Sequence, residues 1–189
     1  MTELRDEPVS YEVTGSDLVY RGRVWDVRSD TVRYGDREIV RQYVAHPGAA
    51  AIVALDETGR VLLIQQYRHP IRHRDWEVPA GLLDVAGEPP LETAKRELAE
   101  EADLRAGRWE PLVRIFTTPG GNDEIVHLFL ARDLVPAGEA FAREDEEADI
   151  RLEWVPLADA VDAVLAGRMR NGILAAGVLA AAERLRREG

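Results

Sequence analysis

Residues 81–104 read GLLDVAGEPPLETAKRELAEEADL, in which Arg96-Glu97-Leu98-Ala99-Glu100-Glu101 follows Glu88 at a distance of eight positions. If the stretch from Pro90 is a helix, each residue turns it by about 100°, and Glu97, Glu100 and Glu101 share an arc of roughly 100°. Leu91, Ala94, Leu98 and Ala102 fill a separate, adjacent apolar arc. Like charges one turn apart destabilise a helix by about 0.2–0.5 kcal/mol per pair, so helix propensity does not explain the crowding. A hard divalent cation, which takes oxygen ligands, does explain it. The bland alternative is a solvated acidic edge with basic partners one turn further on. Lys95 and Arg96 both precede the acids, which leaves few such partners.

Other segments must position this helix. Residues 11–13, 18–20, 25–27, 31–33 and 38–44 read as short strands with turns at Gly15-Ser16 and Gly35-Asp36. Residues 49–55 and 61–66 are apolar and rich in β-branched residues, and Asp56-Glu57-Thr58-Gly59 between them predicts a hairpin. Trp76-Glu77-Val78 leads as a strand into a tight turn at Pro79-Ala80-Gly81. The helix is expected to begin at Pro89 or Pro90, where a missing N–H costs nothing. Strands follow at 109–116, 125–132 and 151–155, and helices at 157–166 and 172–187. The stretch 139–149 carries six acids against one Arg with no apolar period and reads as a loop. Many strands, few helices and no regular alternation of the two predict an α+β layered domain with a mixed sheet.

Composition narrows the chemistry. At 189 residues the chain is long enough for one domain with a small extension. With no cysteine it has no disulfide framework, zinc-thiolate site or thiol nucleophile, which fits a reducing cytoplasm. The opening MTELRDEPVSYEV lacks the apolar stretch of a secretory signal, and the apolar run 173–182 is shorter than the ~18–20 residues of a membrane span. A net charge of −11 opposes binding to nucleic acid or to an acidic membrane.

Gly81, Glu88 and Arg96-Glu97-Leu98-x-Glu100-Glu101-x-x-Leu104 resemble the Nudix box, Gly-x5-Glu-x7-Arg-Glu-U-x-Glu-Glu-x-Gly-U, in which U is apolar. The run from Glu88 to Glu101 matches in spacing and residue type. Six residues rather than five separate Gly81 from Glu88, and Asp103 stands where the box has Gly. The first difference is a loop insertion ahead of the helix. The second falls at a helix end that calls for left-handed backbone, which Asp tolerates at a cost of about 1 kcal/mol. Pro119, fifteen positions beyond Leu104, is similar to the proline associated with the ADP-ribose pyrophosphatases of that family. Gln66-Tyr67-Arg68-His69 and Trp76-Glu77-Val78-Pro79-Ala80-Gly81 are similar to the same subfamily.

The resemblance implies an α/β/α sandwich with a mixed sheet over residues 47–189, and a small antiparallel β-extension over 1–46 that takes part in dimerisation and adenine contacts. It implies metal ligation by Glu97, Glu100, Glu101 and the Ala80 carbonyl, with Mg²⁺ as the ion and Mn²⁺ as a substitute. Gly81, Glu88 and Arg96 become structural parts of the box, with Arg96 orienting carboxylates. Arg68 would hold the pyrophosphate, as a guanidinium fork suits phosphate oxygens. Thr118, in Thr117-Thr118-Pro119-Gly120-Gly121-Asn122-Asp123-Glu124, would contact the terminal ribose and phosphate. Trp25 would stack on adenine with Arg37 and Glu38 at the base edge, in a homodimer that often exchanges these residues. The other reading of Trp25 is a core residue of a small sheet. Glu147 or Glu146, with Glu147 favoured, would act as the base, and His69 and His73 read as solvated loop residues. The implied reaction is hydrolysis of ADP-ribose to AMP and ribose 5-phosphate. The alternatives are another nucleoside-diphosphate sugar or a dinucleotide, and a module that binds ADP-ribose without cleaving it. Such a module would be expected to have lost a box carboxylate, and none is missing.

Overall fold

The computed structural model describes residues 3–138 and 150–189. Among the described residues the chain divides into two compact units. One holds the residues up to His46 together with Thr118–Asp123, and the other holds the rest from Pro47 onward.

The first unit is a meander of β1 (Val13–Arg21), β2 (Asp26–Tyr34) and β3 (Arg37–Ala45), antiparallel throughout. Gly35, at φ +63°, makes the turn between β2 and β3. The turn expected at Gly15-Ser16 does not form. β1 runs through it and absorbs the irregularity as register shifts against β2, between Val13 and Gly15 and between Leu18 and Tyr20. The Ser16 hydroxyl donates to Asp30 at 2.6 Å and so ties this stretch to its neighbour. Residues 25–27 and 31–33, expected as two strands, likewise fall along the single β2, so the five expected strands become three. β1 is exposed along its whole length, and Val13, Leu18, Val19, Tyr20 and Val40 leave apolar surface uncovered. The loop Thr118–Asp123 joins β3, with Val44 N–H donating to the Gly121 carbonyl at 2.9 Å and His46 N–H to the Asp123 carboxylate at 2.7 Å.

The second unit contains β4 (Ala49–Ala54), β5 (Arg60–Arg68), β6 (His73–Glu77), β7 (Ala80–Leu82), α1 (Pro90–Ala102), β8 (Leu104–Phe116), β9 (Ile125–Pro136), β10 (Arg151–Pro156), α2 (Leu157–Leu165) and α3 (Gly172–Glu188). One sheet has the order β7-β4-β9-β8 and is mixed, with β4 and β9 parallel; the other is antiparallel in the order β10-β5-β6. The hairpin expected from residues 49–55 and 61–66 is corrected here. The turn forms as the sequence suggests, with the Asp56 carboxylate accepting Thr58 and Arg60 N–H groups, each at 2.9 Å. Beyond one bridge, Leu55 to Val61, the two strands part and enter different sheets. β4 is buried at every position and is already flanked on both edges by β7 and β9, so no edge is left for β5.

β4 divides the core by its alternation. Ala50, Ile52 and Ala54 pack with Ala94, Leu98 and Ala102 of α1, whereas Ala49, Ala51 and Val53 pack with Leu174, Val178 and Ala181 of α3. Gly177 brings α3 very close to the sheet, for a Cβ there would lie 2.8 Å from Val53 and 2.9 Å from Leu128. β8 begins earlier than the expected residue 109 and tolerates Pro111 because it is an edge strand, with a register shift between Pro111 and Val113. No helix among the described residues is long and apolar enough to cross a membrane.

α1 carries the acidic cluster and is bounded by local chemistry. Pro89 precedes it in extended backbone and Pro90 opens it. The extra residue ahead of the helix is taken up in a turn in which Gly87 has φ +81° and Glu88 N–H donates to the Val85 carbonyl at 3.1 Å. The helix ends with Asp103 at φ 53° and ψ 34°, its N–H donating back to the Ala99 carbonyl at 3.0 Å. Left-handed backbone strains any residue with a Cβ, so Asp103→Gly is expected to raise stability by about 0.5–1 kcal/mol. At this chain length that is a Tm increase of roughly 1–4 °C, read by thermal denaturation. A lower Tm would show that the Asp103 side chain contributes more than the strain it imposes.

Candidate active site

The seam between β7 and α1 brings two of the expected ligands onto one backbone segment. β7 is an edge strand paired with β4 by Ala49 to Leu82, Ala50 to Gly81 and Ala51 to Ala80. Ile52 N–H donates to the Pro79 carbonyl at 2.8 Å and Leu83 N–H to the Gly48 carbonyl at 3.0 Å. Antiparallel alternation then turns both the N–H and the carbonyl of Ala80 away from β4. On that side the Ala80 N–H donates to Glu101 Oε2 at 2.9 Å. Glu101 is only 5% exposed.

Gly81 explains itself by contact rather than by backbone torsion. A Cβ built on it would lie 2.0 Å from the Glu97 carboxylate, so that carboxylate rests directly against the chain. Glu97 and Glu101, one helical turn apart, therefore both meet the Ala80–Gly81 segment. Glu100 stands further out, its side chain 39% exposed against 13% for Glu97.

Arg96 sits among these acids. Its Nη1 donates to Glu97 at 2.6 Å and to Glu100 at 3.2 Å, and its Nη2 to Glu88 at 3.2 Å. Desolvation works against its charge, but the hydrogen bond to Glu88 and the fields of Glu97, Glu100 and Glu88 outweigh it and hold the guanidinium above its ordinary pKa. The Arg96 and Thr93 hydrogen bonds in turn hold the Glu88 carboxyl below the usual carboxylate range. Among the described residues no three carboxylate or imidazole groups converge on one point. Arg96 draws Glu97 and Glu100 while Ala80 N–H holds Glu101. The donor set is nevertheless uniform: carboxylates beside the outward-turned Ala80 carbonyl, all hard oxygens of the kind Mg²⁺ or Mn²⁺ accepts. The Arg96 guanidinium supplies a positive charge between two of them.

Arg68 ends β5, and its fork is half used. Nε donates to Glu77 Oε1 and Nη2 to Glu77 Oε2, both at 2.7 Å. Gln66 donates to the same Oε2 at 3.4 Å. The Glu77 hydrogen bonds raise the Arg68 pKa against the opposing effect of burial, and the charges of Glu77, Glu101 and Asp75 add to the rise. Glu101 thus contributes to the negative field at Arg68. Sequence reading missed Glu77. The signal was an acid flanked by the apolar Trp76 and Val78, where a buried carboxylate must be paired.

In the first unit Trp25 immediately precedes β2, is 48% exposed and stacks on His46 with ring centroids 5.7 Å apart. This exposure overturns the core reading of Trp25 among the described residues. Arg37 and Glu38 open β3, across the Gly35 turn, and both are exposed. They lie at the far end of the nine-residue β2 from Trp25, a separation of roughly 26–30 Å at strand rise. One chain does not bring these three residues together. Thr118 is exposed at its loop, and its carbonyl accepts Gly121 N–H at 2.9 Å and Asn122 N–H at 3.0 Å. That loop is held by Val44 and His46, at the Trp25 end of the sheet. Glu146 and Glu147 lie outside the described residues.

Residues 45–175 match the model of the NUDIX domain. The chain is 46% identical over 171 residues to the ADP-ribose pyrophosphatase of Mycobacterium tuberculosis (strain ATCC 25618 / H37Rv), covering 90% of this chain and 82% of that one. It is 36% identical over 165 residues to the ADP-ribose pyrophosphatase of Bacillus subtilis (strain 168), covering 87% and 85%. The fold is similar to the crystal structure of an ADP compounds hydrolase, with TM-score 0.79 and 22% identity over 98% of this chain and 99% of that one.

Proposed function

The chain belongs to the Nudix family, and from that premise we propose that it hydrolyses the pyrophosphate bond of ADP-ribose to AMP and ribose 5-phosphate. The observation that carries this reading is the meeting of Glu97 and Glu101 with the Ala80–Gly81 backbone. The likeness to the mycobacterial pyrophosphatase along nearly the whole chain supplies the substrate.

Nudix hydrolases generally need divalent metal ions. In this chain Glu97, Glu100, Glu101 and the Ala80 carbonyl would hold Mg²⁺, with Mn²⁺ as a substitute. When bound, such an ion neutralises diphosphate charge and makes a water more acidic. Arg96, itself held by Glu88, orients Glu97 and Glu100, and Gly81 leaves room for Glu97. Arg68 presents its remaining N–H groups to the diphosphate and stabilises the charge that spreads over its oxygens. Glu147, or Glu146, takes the proton of the attacking water. Thr118 contacts the terminal ribose phosphate.

The adenine end would be completed by a homodimer. Trp25 and the Arg37-Glu38 pair stand at opposite ends of β2, so a purine meets both only if they come from two protomers. The uncovered apolar residues of β1 and β3 support the same assembly. The reading also places the protein in the cytoplasm, in keeping with a cysteine-free chain.

The test is incubation with Mg²⁺ and a panel of ADP-ribose, ADP-glucose, UDP-glucose, NADH and diadenosine phosphates, with products resolved. ADP-ribose is expected to be preferred by about tenfold or more in kcat/KM, giving AMP and ribose 5-phosphate. Equal turnover across the panel would overturn the substrate, and no turnover would overturn the activity. Light scattering of the same preparation is expected to give twice the 21.1 kDa chain mass, and a monomer would remove the shared adenine site.

A further inference from the structure

We infer that Glu77 is the positioning residue for the diphosphate: it grips one edge of the Arg68 guanidinium so that the other edge faces substrate. The inference rests on the diphosphate reading of this site and specifies how its arginine is aimed.

A guanidinium has five N–H donors in one plane. Glu77 occupies the edge formed by Nε and Nη2, with both bonds at 2.7 Å. The remaining edge, one N–H from each terminal nitrogen, has the spacing for a second bidentate acceptor such as a pair of phosphate oxygens. Burial agrees with this division. The Glu77 side chain is 8% exposed while that of Arg68 is 48% exposed, so the half-exposed arginine is held by a buried partner. Glu77 is itself fixed, paired across the strands with Ile64 and accepting from the buried Gln66.

Its place in the chain gives the grip a second role. Glu77 ends β6, and Val78-Pro79 lead directly into Ala80 and Gly81. The residue that aims the phosphate-binding arginine therefore stands three positions ahead of the backbone that meets Glu97 and Glu101. One short segment sets the spacing between the phosphate grip and the ion-binding acids. A lysine at position 68 would keep the charge but could not serve two acceptors on opposite edges.

The test compares wild type, Glu77→Gln, Glu77→Asp, Arg68→Gln and the double variant Arg68→Gln/Glu77→Gln. Two readouts are used: ADP-ribose kinetics with Mg²⁺, and calorimetric affinity for inorganic pyrophosphate. Glu77→Gln keeps the shape but opposes an amide N–H to the guanidinium. It is expected to raise KM and weaken pyrophosphate binding by roughly tenfold or more, with kcat within about threefold. Glu77→Asp should recover part of the loss. In the Arg68→Gln background, adding Glu77→Gln should change neither quantity further, because the aimed group is gone. Independent, multiplying effects in the double variant would overturn the inference. So would a Glu77→Gln protein that melts earlier yet keeps wild-type KM and pyrophosphate affinity, since that is the signature of a purely structural acid. Absence of ADP-ribose turnover in wild type would count against the substrate, whereas the pyrophosphate arm still reads the grip.

Discussion

Replacing Glu101 with Gln is expected to lower kcat for ADP-ribose by on the order of 10³ while leaving the fold intact. The substitution is isosteric, and the amide oxygen can still accept the Ala80 N–H that Glu101 accepts at 2.9 Å. One of several like charges on α1 disappears, which relieves rather than adds strain by about 0.2–0.5 kcal/mol. What is lost is a buried negative charge aimed at the site where the divalent ion is proposed to bind, a contribution of several kcal/mol to the barrier. A second measurement separates ligand loss from misfolding. Mg²⁺ should raise the Tm of wild type through linkage, by the equivalent of about 2.7 kcal/mol at a hundredfold excess over Kd, and should raise that of the variant far less. Turnover within tenfold of wild type, or an undiminished Mg²⁺ shift, would remove Glu101 from the site.

Gly81→Ala is expected to cost roughly 10² or more in kcat for a different reason. The backbone at Gly81 is not left-handed, so alanine brings no torsional strain. Its methyl would stand where the Glu97 carboxylate lies, 2.0 Å from it, and something must move. The obstructing atoms are the end of a glutamate side chain, so the protein yields by swinging Glu97 aside at small cost in stability. Chemistry does not tolerate the same movement, because a displacement of about an ångström in a catalytic ligand suffices for a hundredfold loss. The signature is a near-wild-type Tm with collapsed turnover. A variant that keeps its activity would show that Glu97 works from another position.

The parts of this molecule legible in the sequence are those fixed by short-range chemistry. α1 could be read entirely, since Pro89-Pro90 opens it and Asp103 closes it, and its apolar and acidic arcs follow from helical pitch. The placement of Glu97 and Glu101 on one side of the helix, where both meet Ala80–Gly81, follows from the same pitch. What could not be read depends on partners far along the chain. Asp56–Gly59 has sound turn chemistry, yet β4 pairs with β9 more than seventy residues away in preference to β5 beside it. The burial of both faces of β4 makes that choice, and a local pattern cannot weigh it. Gly15-Ser16 reads as a turn, but a strand can absorb an irregularity as a bulge when its neighbour holds it. Reading residues 25–27 and 31–33 as two strands, where β2 is one, likewise hides the separation of Trp25 from Arg37. Short strands would have allowed the two to fold side by side, whereas full-length β2 holds them apart. Glu77 was missed because its partner Arg68 lies across a strand pair and not along a helix.

The closeness of α3 to the sheet has a consequence for lineage. At Gly177 the sheet contributes Val53 and Leu128 to the contact and the helix contributes no side chain at all. These three sites cannot drift independently. A descendant that gains a methyl at 177 has to trim 53 or 128 within the same stretch of ancestry, so side-chain volumes at the three sites should vary in opposition among distant cousins.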